Sequence, residues 1–332
     1  MGYDSNVIQA AKQQLDKRKN EREAEFHARQ NEIYKNIPRI AEIDRELRIT
    51  ISSVAVAALR KGTDPSQAIA SLKKKNLSLQ SEREHLLVEH GYSPHALNYQ
   101  PYCTLCDDNG WRGAEMCQCL KDLCAKEQIR QLSSLLDLQG QSFENFRLDL
   151  YSDQPFDGYG SFSPRQNMEY VYDICLHYAN EFPDSPYFKN LFLTGSTGLG
   201  KTFLSASIAR VVSEHGYSVV YDTALNVFAQ FESSKFDKDS VAYENTQRYL
   251  HCDLLILDDL GSEMRTSFTQ SVLYEIVNTR LINNICTVIS SNMSLSQIQQ
   301  NYSPQIFSRI AGKYRSLSFY GEDIRLINKN SV

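Results

Sequence analysis

The chain of 332 residues contains a single tryptophan, and between residues 5 and 90 it has one glycine, Gly62, and few aromatic side chains. A stretch so poor in turn-formers and so rich in Gln, Glu, Lys and Arg reads as helix. No apolar h-region opens the sequence, and no uninterrupted apolar run approaches the ~20 residues that span a bilayer. Neither a secretory leader nor a membrane helix is therefore expected, and the expected location is the cytoplasm. A global positive field is missing too: the net charge is −5, so any attraction to nucleic acid must be local. Residues 1–100 carry 16 basic against 13 acidic side chains, whereas the remainder carries 19 against 27. No internal repeat or low-complexity tract is evident.

Three regions follow. Residues 1–90 are expected to be a helical partner-binding region. Ile33, Ile37, Ile40, Leu47, Ile51 and Val54 recur at helical intervals on one apolar face. Pro38 marks a boundary between two helices, Gly62-Thr63-Asp64-Pro65 a stop followed by a cap, and a third helix is predicted from Pro65 to Glu89. A solvated hairpin or spacer is the plainer alternative to docking, and Lys73-Lys74-Lys75 reads as a solvated face. Residues 91–140 form a turn-rich insert and linker helix. Residues 141–332 alternate strand and helix patterns, with strands expected at Asn190–Thr194, Ser218–Tyr221, Leu254–Leu257, Cys286–Ser290 and Leu317–Tyr320. That alternation predicts a parallel five-stranded α/β sheet. Residues 223–248 are expected to supply a connecting helix, with a DNA-facing helix as the alternative.

The chemistry centres on Gly195-Ser196-Thr197-Gly198-Leu199-Gly200-Lys201-Thr202, a complete G-x-x-x-x-G-K-T phosphate loop. It sits between an apolar strand, Leu191-Phe192-Leu193, and a helical pattern from Phe203 to Val212. Glycine turns let backbone N–H groups approach phosphate, and the following helix aims its positive end at the same place. Lys201 is placed to neutralise the β- and γ-phosphates, and the Thr202 hydroxyl to bind Mg²⁺. The expected ligand is ATP or GTP.

About 50 residues on, Leu254-Leu255-Ile256-Leu257-Asp258-Asp259 is a buried-strand pattern ending in two carboxylates. Asp258 is expected in the Mg²⁺ shell, and Asp259 as the general base that polarises the attacking water. The strand Thr287–Ser291 ends at Asn292, which could sense the γ-phosphate and orient water. Ile306-Phe307-Ser308-Arg309-Ile310 reads as an amphipathic helix. Arg309 could act as a finger on a neighbouring subunit's nucleotide if the chain self-associates in a ring or spiral; a surface salt-bridge residue is the alternative.

Eight cysteines without a leader suggest reduced thiols and metal rather than disulfides. Cys103, Cys106, Cys117 and Cys119 form C-x2-C-x10-C-x-C around a stretch suited to tight turns. Four thiolates suit a structural Zn²⁺ with no open coordination position. Cys124, His90 or His95 could substitute for one ligand. No redox partner motif accompanies the cluster, so zinc is preferred to iron–sulfur.

Taken in order, GSTGLGKTFL, LLILDDLGSE, TVISSN, IFSRI and YGEDIR resemble the AAA+ ATPase core of bacterial replicative helicase loaders of the DnaC/DnaI type. CTLCDDNGWRGAEMCQCL resembles the zinc-binding insert of the Firmicute-type members, and QSFENFRLDLY the lead-in to the core. The resemblance covers about residues 100–328. It implies an AAA+ P-loop core at 141–332 without a full C-terminal lid, since about a dozen residues follow Tyr320. It also implies ATP, Mg²⁺ and Zn²⁺ as cofactors, and the replicative helicase and single-stranded DNA as partners. Asp259 would take the water-activating place held by glutamate in many AAA+ proteins. Arg325 is open between nucleotide contact and a strand-end role. An IstB-type transposition ATPase and an ATP-gated adaptor are the competing readings.

Overall fold

A computed structural model describes residues 3–59, 66–135, 140–156, 162–184, 188–236 and 240–329. The turn expected at Gly62–Pro65 lies outside them, and so do the side chains of Ile51 and Val54. The chain divides into two units: Gln13–Cys117, and a larger one made of Met1–Lys12 with Gln118–Val332.

The smaller unit holds most of α1 (Ser5–Asn36), then α2 (Pro38–Leu59), α3 (Ser66–Glu89) and a two-stranded ribbon, β1 (Trp111–Arg112) with β2 (Glu115–Met116). Pro38 opens α2, where its missing N–H costs nothing because first-turn amides have no intrahelical acceptor. Ile33, Ile37 and Ile40 pack with Leu87 and Leu97 in a small apolar cluster, while Leu47 is only half-buried. Polar pairs add register: Arg83 bridges to Asp44 at 3.0 Å, and the Tyr34 hydroxyl donates to the same carboxylate at 2.7 Å.

In the larger unit α4 (Gln118–Leu135) and α5 (Pro164–Asn180) precede β3 (Leu191–Gly195), α6 (Lys201–Glu214) and β4 (Val219–Thr223). Then come α7 (Ala224–Phe236), α8 (Ser240–His251), β5 (Leu254–Leu260), α9 (Ser267–Ile282) and β6 (Cys286–Ser291). Last are α10 (Leu295–Asn301), α11 (Pro304–Lys313), β7 (Arg315–Phe319) and α12 (Ile324–Lys329). The five expected strands form one parallel sheet in the order β4-β5-β6-β3-β7. Side chains alternate across it: Leu191, Leu193, Leu254 and Ile256 face α5 and α6, whereas Phe192, Leu255 and Leu257 face α7 and α9. Both faces are covered, which is why these strands read as continuous apolar runs.

The β3 strand lies between β6 and β7, so the phosphate loop leaves the sheet where the chain order switches direction. In open α/β sheets that crevice at the C-terminal strand ends is the ligand position. Both edges carry amide side chains. Gln128 of α4 accepts from Val219 N at 2.9 Å and donates to Tyr217 O at 3.0 Å beside β4. Asn167 of α5 donates to Ser318 O of β7 at 2.8 Å.

Arg280 near the end of α9 is fully buried. Its guanidinium donates to Thr287 Oγ1 and the Tyr249 carbonyl, both at 2.9 Å, and to the Cys286 carbonyl at 2.5 Å. It thus ties α8, α9 and β6 together. Arg280→Met fills part of the volume but strands two carbonyls, each costing ~1–3 kcal/mol. Denaturant unfolding is expected to show a loss of roughly 2–5 kcal/mol with the same slope.

Candidate functional site: a phosphate-loop cleft and a cysteine tetrad

A cleft of about 470 Å³ opens at the C-terminal end of β3. Thr197 to Thr202 line it together with Asp258, Asp259 and Asn292, so the structure brings these expected residues to one place. Gly195 and Ser196 do not line it; their carbonyls accept from Lys201 Nζ at 2.6 and 2.7 Å. A third bond joins Lys201 Nζ to Asn292 Oδ1 at 2.8 Å. Lys201 is 8% exposed, and that burial lowers its pKa; Arg325 adds to the effect, while Asp258 and Asp259 oppose it.

The loop backbone is built for an anion. Gly198 and Gly200 adopt φ of +74° and +90°, a region costly for other residues. A methyl on Gly198 would sit 1.9 Å from the Asp323 carboxylate. Gly200 caps α6 without offering a side chain, so the first-turn amides keep no side-chain acceptor of their own. Unsatisfied amides at a helix N-terminus fit the phosphates of a nucleotide.

The carboxylate pair owes its arrangement to a register slip. Leu257 pairs with Ile289 but Leu260 with Ser291, so β5 carries one extra residue opposite β6. A regular strand would send consecutive side chains to opposite faces; the bulge lets Asp258 and Asp259 both reach the cleft. Asp259 absorbs the irregularity at φ +56°, a region Asp tolerates better than most residues. Its Oδ1 accepts from Asn292 Nδ2 at 2.8 Å, completing a chain from Lys201 through Asn292 to Asp259. Asp258 Oδ2 accepts from Thr202 Oγ1 at 3.3 Å, and these hard oxygens fit a Mg²⁺ shell.

Other cleft residues were not legible as such. Gln141, Phe203, Thr223, Ser290 and Ile324 line it, and so does Arg325. The Gly321–Arg325 segment folds back on the loop, with Ile324 N donating to Gly198 O at 3.1 Å. From the lead-in, Tyr151 donates to Leu199 O at 3.0 Å and stacks on Phe146. Arg309 is not a cleft residue. Its guanidinium lies 4.6 Å over the Tyr274 ring and donates to Asn278 Oδ1 at 2.7 and 3.0 Å.

The ligand atoms of Cys103, Cys106, Cys117 and Cys119 all lie within 4.8 Å of one another. Cys103 Sγ and Cys117 Sγ are 3.7 Å apart, close to the edge of a tetrahedron with ~2.3 Å Zn–S bonds. Asp107 and Asp108 take left-handed φ of 49° and 58°, and Gly110 N donates to Cys106 Sγ at 3.3 Å. Buried Asp108 accepts from Cys103 N at 2.7 Å and Tyr102 N at 2.9 Å, fixing the first knuckle. The residues fit a closed structural Zn²⁺ site. Cys124, His90 and His95, the candidate substitutes, are not in the cluster; burial pushes the Cys124 thiol up to about 11. Changing Cys103 and Cys106 together to Ser is expected to reduce bound zinc from one per chain to none. Elemental analysis of the purified variant checks this, with faster proteolysis between residues 90 and 117 as the structural readout.

Against known sequences, residues 186–331 match the family model described as IstB-like ATP binding protein. The matched stretch holds the phosphate loop, both aspartates, Asn292, Arg309 and Arg325, and its sheet is the expected parallel five-stranded α/β sheet. The chromosomal replication initiator protein DnaA of Campylobacter fetus subsp. fetus is 30% identical over 158 residues, 48% of this chain and 31% of that protein. The chain spans about a third of the length of the curated relatives it matches. Among solved structures, the DnaC helicase loader has 17% identity and a TM-score of 0.44, covering 55% of this chain and 99% of that one. The DnaI structure has 20% identity and a TM-score of 0.45, covering 55% and 93%. Among the described residues, no helix is long and apolar enough to cross a membrane.

Proposed function

We propose that this protein is an ATPase that loads the hexameric replicative helicase onto single-stranded DNA. The observation that carries the reading is a closed cysteine tetrad ahead of the stretch that matches the IstB-like ATP binding protein model. The sequence resemblance to DnaC/DnaI-type loaders rests on that cysteine insert together with Asp258-Asp259, FSRI and GEDIR. In this reading residues 1–90 grip the helicase, 91–140 form the zinc-stapled insert and linker, and 141–332 form the ATPase core.

Hydrolysis would use the cleft as follows. The loop amides and Lys201 hold the phosphates, and Asn292 orients water against Asp259, which takes its proton. Thr202 and Asp258 would hold Mg²⁺, which neutralises charge on the β- and γ-phosphates. Arg309 has no role within its own cleft. Stacked on Tyr274 and free of carboxylate partners among the described residues, it suits action on a neighbouring copy's nucleotide in a ring or spiral.

The test is co-purification with the host's replicative helicase, with and without ATP, followed by helicase transfer to circular single-stranded DNA. An ATP-sensitive complex that transfers helicase supports loading. The family match favours one second reading, a transposition helper ATPase. Absence of a helicase complex under every nucleotide condition, with ATP hydrolysis stimulated by a transposase, would replace the loader reading with that one.

A further inference from the structure

Tyr221 is the middle residue of β4, is 7% exposed and belongs to neither signature motif. Its hydroxyl donates to Asp258 Oδ2 at 2.6 Å, the same oxygen that accepts from Thr202. The other oxygen, Oδ1, accepts from Ser290 Oγ and from Asp259 N. The carboxylate is therefore gripped by β4, β5, β6 and the start of α6 together.

The division of donors decides what each does. A carboxylate oxygen offers about two lone-pair directions. On Oδ2, Tyr221 takes one of them, which leaves the second aimed at Thr202, the other oxygen expected around Mg²⁺. A threonine that turns to a cation gives up its bond to Asp258, whereas the Tyr221 hydroxyl keeps its donor bond to the carboxylate.

The strand that carries Tyr221 is itself pinned. Gln128 accepts from Val219 N two residues earlier. Asp222, the next residue, accepts from Tyr249 Oη at 2.8 Å and Asn226 Nδ2 at 2.7 Å. A rotation of the strand that would withdraw Tyr221 must break these bonds too.

We infer that Tyr221 is a positioning residue of the Mg²⁺ site, holding Asp258 so that its remaining lone pair on Oδ2 faces Thr202. The inference rests on the reading of the cleft as a Mg²⁺–nucleotide site. Tyr221→Phe keeps the ring and removes only the donor.

The experiment titrates Mg²⁺ against binding of a fluorescent ATP analogue by the full chain and by Tyr221→Phe. Tyr249→Phe, which loses a similar buried tyrosine–aspartate bond on the same strand, is the comparison. The Mg²⁺ midpoint is expected to rise about tenfold in Tyr221→Phe, one charge-assisted hydrogen bond of ~1.4 kcal/mol. Binding in the presence of EDTA should stay unchanged in both variants, as should the midpoint in Tyr249→Phe. An unshifted midpoint in Tyr221→Phe, even with a lower melting temperature, overturns the proposal and leaves a packing role. Equal shifts in both variants overturn it as well, because they report general loosening of β4. A wild-type chain that binds no nucleotide rejects the site reading itself, an outcome recognised before any variant is compared.

Discussion

Lys201→Ala is expected to weaken ATP binding by at least about a hundredfold. Lys201 Nζ now satisfies the Gly195 and Ser196 carbonyls and Asn292 Oδ1 at the mouth of the cleft. Lys201 and Asn292 line the cleft, so water can replace the ammonium there with little cost to folding. Phosphates have no such substitute. Two contacts from one ammonium, each worth ~1.5–3 kcal/mol when charge-assisted, give a loss of ~3 kcal/mol or more, which is over a hundredfold. Fluorescence titration with an ATP analogue measures it, alongside a melting curve close to wild type. Normal affinity in the variant would remove the phosphate-loop assignment.

The second large effect is on turnover. Asp259→Asn should reduce hydrolysis by about 10²–10⁴, the usual worth of a positioned general base, while nucleotide affinity changes by less than about threefold. Asparagine is the informative choice because it tolerates the left-handed backbone that the β5 bulge imposes at φ +56°. Alanine would add strain and confuse the result. The variant also separates two modes of action. A machine that needs turnover stalls with its partner bound, whereas an ATP-gated clamp recruits its partner as before. Phosphate release that continues at the wild-type rate would take the base role away from Asp259.

The parts of the site that were legible in the sequence are those whose chemistry is local. The phosphate loop is eight consecutive residues with fixed backbone demands, and Asp258 follows four apolar strand residues. Strand positions were readable wherever both faces are buried, as at β3 and β5. They drifted where polarity entered. The last strand was expected from Leu317 but begins at Arg315, because Arg315 is exposed and Ser316 is a partly buried polar residue, so the apolar pattern starts only at Leu317. The register slip that frees Asp259 left no trace, since it depends on where β6 meets β5. Tyr221, Ser290, Tyr151 and Gln141 escaped for the same reason: each becomes part of the site through tertiary placement, not through its neighbours in the chain. Arg325 stood open between two roles, and its place in the cleft follows from the fold-back of residues 321–325 onto Gly198.

The capped sheet has a consequence for how copies of the chain can meet. An open strand edge is a template for another chain's backbone, and intermolecular β-pairing needs a run of free N–H and C=O groups. Gln128 at one margin and Asn167 at the other place amide groups where such a guest strand would begin to pair. Strand addition is thus discouraged on both flanks. Any contact between copies would then fall to helix faces and loop ends, surfaces that can part and re-form without unravelling a β-ladder.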